Sequence, residues 1–283
     1  MVAFFISMKN TEHKEIIING RKVLYFERGN PAHSTMVLLH GYPGSYEHLM
    51  DFADALGSNF HIIIPNFPSC GGSEPMNQAH TLEHFTAWLG VFLQEVQARN
   101  FVLVGHSFGS RVALSYAVRW PKEIKRLVLI TPVLKADSVF VYVVLLKYKI
   151  AKLLPASAKK AFLASKLYEY MACKIVLQSR NPRLRKEIIG RGFGELVNVY
   201  PDVHIELFEE FYQSDLTVLA KKLAVPTLVM AGSKDQVATV ASVKLFTRAA
   251  KNISLKIITG AGHLVPFERP RAVANLIKAW LNR

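Results

Sequence analysis

The chain has 283 residues, 51% of them hydrophobic and 20% charged, with a formal net charge of +14 at pH 7. That length supports a large buried core, either one α/β domain or a domain carrying an insertion, and the apolar content excludes a disordered chain. Two cysteines, Cys70 and Cys173, exclude a disulfide framework and are expected to be buried thiols.

In chain order, Met1–Met8 is apolar but short, has no basic residues before it and runs into Lys9, so it is not read as a signal peptide. Met8 is an alternative start, which would make residues 1–7 an extension. Glu15–Ile18 and Lys22–Phe26 flank Asn19-Gly20, a hairpin signal. Met36–His40 reads as a buried strand, 46–56 as a helix, and His61–Pro65 as a second strand. A long helix is expected from Thr81 to Arg99, with Phe85, Leu89, Phe92, Leu93 and Val96 on one stripe. Phe101–Val104 is a third strand, 107–118 its helix, and Arg126–Ile130 a fourth strand. From about Leu134 to Leu219 only helices are expected, with stripes at Val139, Val143, Leu146, Ile150 and at Leu163, Leu167, Tyr170, Met171. Strand character returns at 226–231 and 253–258, and a last helix spans 271–281.

Strands that are continuous apolar runs between helices predict a mostly parallel sheet covered on both faces. The expected fold class is therefore α/β, with a core formed by residues 1–133 and 220–283 and a helical insertion at 134–219. No apolar stretch approaches the roughly 20 residues that cross a bilayer, and the chain is read as soluble and cytoplasmic. Between Lys147 and Arg191 there are twelve Lys and Arg against two Glu. A solvated basic face explains this, and attraction to an anionic membrane is the functional alternative. No nucleic-acid motif accompanies the charge.

The chemistry centres on Gly105-His106-Ser107-Phe108-Gly109, a strand turning sharply into a helix with a serine at its apex. A serine hydroxyl needs a base to become a nucleophile, and the base needs an orienting carboxylate. Asp235 follows the strand at 226–231 and His263 the strand at 253–258, which puts both at the carboxyl ends where open α/β sheets gather their ligands. Asp137 is the fallback acid. The oxyanion formed on attack needs donors, and the main-chain N–H groups of Phe108 and Tyr42 are the expected pair. Tyr42 lies in His40-Gly41-Tyr42-Pro43-Gly44, whose glycines let the main chain come close and whose proline cannot donate. His48, His61, His80, His84 and His204 lack comparable placement and are expected to be structural.

These residues resemble the α/β-hydrolase superfamily over nearly the whole chain, in its branch of capped serine hydrolases. His40-Gly41-Tyr42-Pro43 is similar to the family's HG-x-P loop, Gly105 to Gly109 to its nucleophile elbow, and Gly232 to Asp235 and Gly262-His263 to its acid and histidine loops. The resemblance implies that the helical insertion is a cap over the site. One loop departs from the pattern: where many members have Asp-x-Pro-Gly-x-Gly-x-Ser, this chain has Asn66-Phe67-Pro68-Ser69-Cys70-Gly71-Gly72-Ser73, so the usual hydrogen bonding there is not expected to carry over unchanged. The His40–Ser45 loop also resembles epoxide hydrolases and haloalkane dehalogenases, but their Asp nucleophile is replaced here by Ser107.

The function expected is cleavage of a small or medium ester or related acyl substrate through an acyl-enzyme. Carbon–carbon bond hydrolases, amidases, peptidases and acyltransferases share these motifs, and a non-catalytic ligand-binding protein of this fold is a third reading. Phe140, Tyr142, Phe162, Tyr168 and Phe211 are the lining residues expected from the cap. No metal-ligand cluster or dinucleotide fingerprint appears, so neither a metal nor a cofactor is expected. The motifs do not indicate an oligomeric state.

Overall fold

A computed structural model describes residues 13–179, 181–198 and 200–283, without the side chains of residues 156, 166, 168, 169, 191–198 and 211–213. Strands β1 (His13–Ile18) and β2 (Arg21–Arg28) form an antiparallel hairpin. Its two turn residues, Asn19 and Gly20, have positive φ of 50° and 74°, matching the right-handed twist of the flanking strands. Six further strands follow: β3 (Ser34–Leu39), β4 (Phe60–Pro65), β5 (Phe101–His106), β6 (Ile124–Ile130), β7 (Thr227–Gly232) and β8 (Ile253–Ile258). The sheet order is β1-β2-β4-β3-β5-β6-β7-β8, and every pairing from β4 to β8 is parallel. The chain therefore reverses its winding direction between β3 and β5, which opens a crevice at the carboxyl ends of those two strands.

Both faces of the sheet are covered. Alternate strand residues (Val37, Leu39, Leu103, Leu129, Val229) meet α2 (Leu82–Glu95), α3 (Phe108–Arg119) and α9 (Val240–Arg248). The intervening residues (Met36, Leu38, Val104, Val128, Met230) meet α1 (Met50–Leu56) and α10 (Pro270–Leu281). A side chain fully buried this way contributes about 1.5–3 kcal/mol, so both faces must be apolar and the strands lose the alternation of a half-exposed sheet.

The predicted helix at 46–56 is a short 3-10 turn, Tyr46–Leu49, running into α1. Thr81 caps α2 by accepting the His84 N–H, but the helix stops at Glu95, four residues short of the predicted end, because Gln97 turns to a φ of +54°.

Between β6 and β7 come α4 (Val139–Lys152), α5 (Ala156–Leu163), α6 (Lys166–Val176), α7 (Pro182–Asn198) and α8 (Pro201–Gln213). Val144, Tyr148, Ala151, Leu163 and Ile205 give α4, α5 and α8 a small core of their own. The segment leaves and rejoins the sheet domain at one place: Leu216 N–H donates to Leu134 C=O at 2.8 Å, and the buried Arg111 binds both Val133 C=O and Ser214 Oγ. Among the described residues, no helix is long and apolar enough to cross a membrane. Residues 1–7, the predicted extension, lie outside the described residues.

Candidate active site

Ser107 sits between β5 and α3 with φ +53° and ψ −114°, a conformation that costs an ordinary residue on the order of 1–3 kcal/mol. Its surroundings hold it there. Ser107 N–H donates to Ile130 C=O at 3.0 Å, and Ser110 Oγ donates to Gly105 C=O at 2.6 Å. Glycines at 105 and 109 are sterically required, because a Cβ at Gly105 would lie 2.4 Å from Gly109 O and one at Gly109 would lie 2.4 Å from Leu39 O.

His263 Nε2 lies 2.8 Å from Ser107 Oγ. His263 Nδ1 lies 2.9 Å from Asp235 Oδ2 and 3.2 Å from Asp235 Oδ1. A carboxylate can only accept, so Nδ1 carries the proton and Nε2 is left to accept from the serine hydroxyl. The Asp235 carboxylate is buried and fixed in turn: Oδ1 accepts the N–H groups of Val237 at 2.8 Å and Ala238 at 2.9 Å. The fallback acid Asp137 is engaged elsewhere, accepting from Thr239 Oγ1 at 2.9 Å.

The His263 main chain is held on three sides. Its N–H donates to Val176 C=O at 2.9 Å, and its carbonyl lies 3.0 Å from Thr131 Oγ1 and 3.2 Å from His106 Nε2. Thr131 is buried and has a φ of +45°, rare for a β-branched residue. Glu268 supports the same loop, accepting Gly262 N–H at 3.1 Å and Gln178 N–H at 3.3 Å, while burial pushes its carboxyl above the usual range.

The loop after β3 lies against Ser107. A Cβ built on Gly41 would stand 3.3 Å from Ser107 Cβ and 3.2 Å from His106 Nδ1. His40 anchors the loop: Nδ1 lies 2.7 Å from Gly41 O, and Nε2 accepts Phe67 N–H at 3.1 Å. Those two bonds fix a neutral tautomer, and burial pushes the His40 imidazole down to about 3. Phe108 supplies the first N–H of α3, at the N-terminus of the helix. Asn66 resolves the departure in the β4 loop. Its Oδ1 accepts Tyr46 N–H at 2.6 Å and its Nδ2 donates to Gly71 C=O at 2.8 Å, so the amide uses both ends where a carboxylate could only accept.

A cavity of about 230 Å³ opens over Ser107 and His263. Tyr42, Phe108 and Phe267 from the sheet domain and Phe140, Tyr148 and Phe208 from the inserted helices are among its walls. Of the predicted lining residues, Phe140 is there. Tyr142 instead faces solvent on the outer side of α4, and Phe162 packs into the small core of the inserted helices rather than the cavity. Tyr168 and Phe211 lie outside the described side chains. Cys70 and Cys173 are both buried thiols. Sequence reasoning missed Thr131, His106 and His48, the last of which lines the cavity. Thr131 follows β6 directly and His106 precedes the serine, which is the only signal either gives. Among the described residues, no group of three or more His, Cys, Asp or Glu is arranged to hold a metal ion.

A hydroxyl, an imidazole and a buried carboxylate in this order can move a proton off the serine and return it to a leaving group. The model of a family described as alpha/beta hydrolase fold matches residues 34–270. Monoacylglycerol lipase ABHD6 of Homo sapiens is 25% identical over 270 residues, covering 89% of this chain and 77% of that protein. Lipase 3 of a Moraxella species is 26% identical over 292 residues, covering 97% and 86%. Among solved structures, a putative lipase from Acinetobacter baumannii superposes with a TM-score of 0.80 at 22% identity, covering 96% of this chain and 93% of that one. A 2-hydroxy-6-oxo-6-phenylhexa-2,4-dienoate hydrolase from a Rhodococcus species superposes at 0.82 with 17% identity, covering 97% and 99%. At these identities the structural likeness speaks for the fold.

Proposed function

The chain belongs to the alpha/beta hydrolase fold family, and from that premise we propose that it is a serine hydrolase acting on small or medium esters. Ser107 attacks the acyl carbon while His263 takes the hydroxyl proton. Asp235 keeps the imidazole in the tautomer that can accept it and stabilises the charged form. The main-chain N–H groups of Tyr42 and Phe108 stabilise the oxyanion, and His263 returns the proton to the leaving alcohol. Water, deprotonated by His263, then releases the acid from Ser107.

The observation that carries this reading is the unbroken chain from Ser107 Oγ to His263 Nε2 at 2.8 Å and from His263 Nδ1 to Asp235 Oδ2 at 2.9 Å. Relatives named lipase support the ester bond as the one broken. The aromatic and aliphatic walls suit an acyl chain, and a cavity of about 230 Å³ lies below the roughly 300–1,000 Å³ of drug-sized sites, favouring short and medium chains. We assign α4 to α8 the role of a cap that sets chain length. The test is a graded series of acyl esters with wild type and Ser107→Ala. Turnover that peaks at short or medium chains and disappears in the variant is expected. Absence of ester turnover by the wild type, with cleavage of a vinylogous diketone or a peptide, would overturn it.

A further inference from the structure

Helix α4 is apolar on two opposite faces. Val141, Val144, Tyr148 and Ala151 are buried, and the first three of these wall the cavity. Val139, Tyr142, Val143, Leu146, Ile150 and Leu153 recur at the same helical spacing on the other side and are 43–85% exposed. An apolar stripe of this length on a helix belongs against a core or at a membrane, and this one faces solvent. The outer stripe runs from Val139 to Leu153, about 21 Å at 1.5 Å per residue. Helix α6 adds Leu167, Tyr170 and Met171, 45–70% exposed, and its inner residues Ala172, Cys173 and Val176 wall the same cavity.

Cations border these apolar faces. Lys149 lies beside the α4 stripe, three residues after Leu146 and four before Leu153, and makes no ion pair among the described residues. Lys174 holds its ammonium 4.5 Å from the Tyr170 ring centroid. Other cations of the inserted helices are already engaged: Lys147 is buried with its ammonium on Leu163 C=O, Lys152 pairs with Glu209 and Lys159 with Asp202.

We propose that the outer faces of α4 and α6 dock on an anionic lipid surface. The apolar side chains enter the interfacial layer while Lys149 and Lys174 meet lipid phosphates, the arrangement that holds amphipathic helices in the membrane plane. A second copy of the chain fits poorly, because its own basic face would be brought against this one. The inference concerns docking and holds whether or not Ser107 is the nucleophile.

The test is co-sedimentation of the full chain carrying Ser107→Ala with vesicles of pure phosphatidylcholine and with vesicles that include phosphatidylserine. Binding should need phosphatidylserine and weaken with added salt. Lys149→Gln with Lys174→Gln should lower the partition coefficient roughly thirtyfold, given a contribution of about 1 kcal/mol from each basic residue near an anionic surface. Leu146→Ser with Leu153→Ser should abolish binding, and the same pair in the Ser107 chain should leave turnover of a water-soluble ester unchanged. Binding indifferent to phosphatidylserine, or unaltered in the Leu146→Ser/Leu153→Ser chain, overturns the proposal. So does a concentration-dependent dimer that this pair dissolves, or retention by an acidic protein matrix without any vesicle binding.

Discussion

The main-chain N–H of His263 donates to Val176 C=O at 2.9 Å, so the loop bearing the proposed base is fastened to the last residue of α6. The contact is close enough to exclude a methyl group next door. A Cβ on Gly262 would come within 2.5 Å of Val176 O.

Gly262→Ala should therefore push the loop off α6 and tilt the imidazole away from Ser107. Displacements of about 1 Å at a reacting group can cost on the order of 100-fold. Steady-state kinetics should show a fall in kcat of that order with a folded chain by circular dichroism. Unchanged kcat would mean that the α6 tether does not position His263.

Asp235 divides its work between its two oxygens, Oδ1 toward the Val237 and Ala238 N–H groups and Oδ2 nearest His263. Asp235→Asn can keep its oxygen on the two N–H groups while turning an NH₂ toward His263, which forces the wrong tautomer. The expected loss in kcat is roughly 10⁴-fold at nearly unchanged thermal stability. A loss below tenfold would remove Asp235 from the mechanism.

Asn66→Asp removes the Nδ2 donor and sets a carboxylate against Gly71 C=O in a fully buried position. Chemical denaturation should show a loss of about 1–3 kcal/mol, the cost of stranding a buried acceptor. Equal or greater stability would show that the loop re-forms around a carboxylate.

His40, His106 and His204 are buried, and burial pushes each imidazole down to about 3. An unfolded imidazole protonates near 6.5. Between those values the unfolded chain holds protons that the folded chain does not, so stability falls as pH falls from about 6.5 toward 3, and above 6.5 this loss is absent. Neither ring nitrogen of His204 has a hydrogen-bond partner among the described residues, and its ring packs near Tyr42, Tyr148 and Phe208. His204→Phe should therefore raise Tm, and raise it more at about pH 5 than at about pH 8. A lower Tm, or an equal rise at both values, contradicts this.

The strand-to-helix turn at Ser107 and the loop carrying Asp235 are legible because each follows a continuous apolar strand, and His263 because it follows β8, an edge strand whose Ser254 and Lys256 interrupt the apolar run. Asp235 ranks ahead of the fallback Asp137 because it directly follows a strand, and the pairing of β7 with β8 brings it to His263. The helical cavity wall was read less well. Periodicity picks out the stripe Val139, Val143, Leu146 and Ile150, but not that it faces solvent, so the exposed Tyr142 is an expected lining residue while the buried Tyr148 on the inner face is not. Thr131 and Val176 escape for a simpler reason: both hold the main chain of His263, Thr131 by its hydroxyl and Val176 by its carbonyl, and no sequence pattern marks such a contact.

Peptide mapping of the wild-type chain after reaction with a fluorophosphonate tests whether Ser107 is the nucleophile. A single phosphonyl adduct on Ser107 is expected, formed alongside loss of ester turnover and greatly slowed in Asp235→Asn. An adduct on another residue, or none at all in protein that turns over esters, would contradict it.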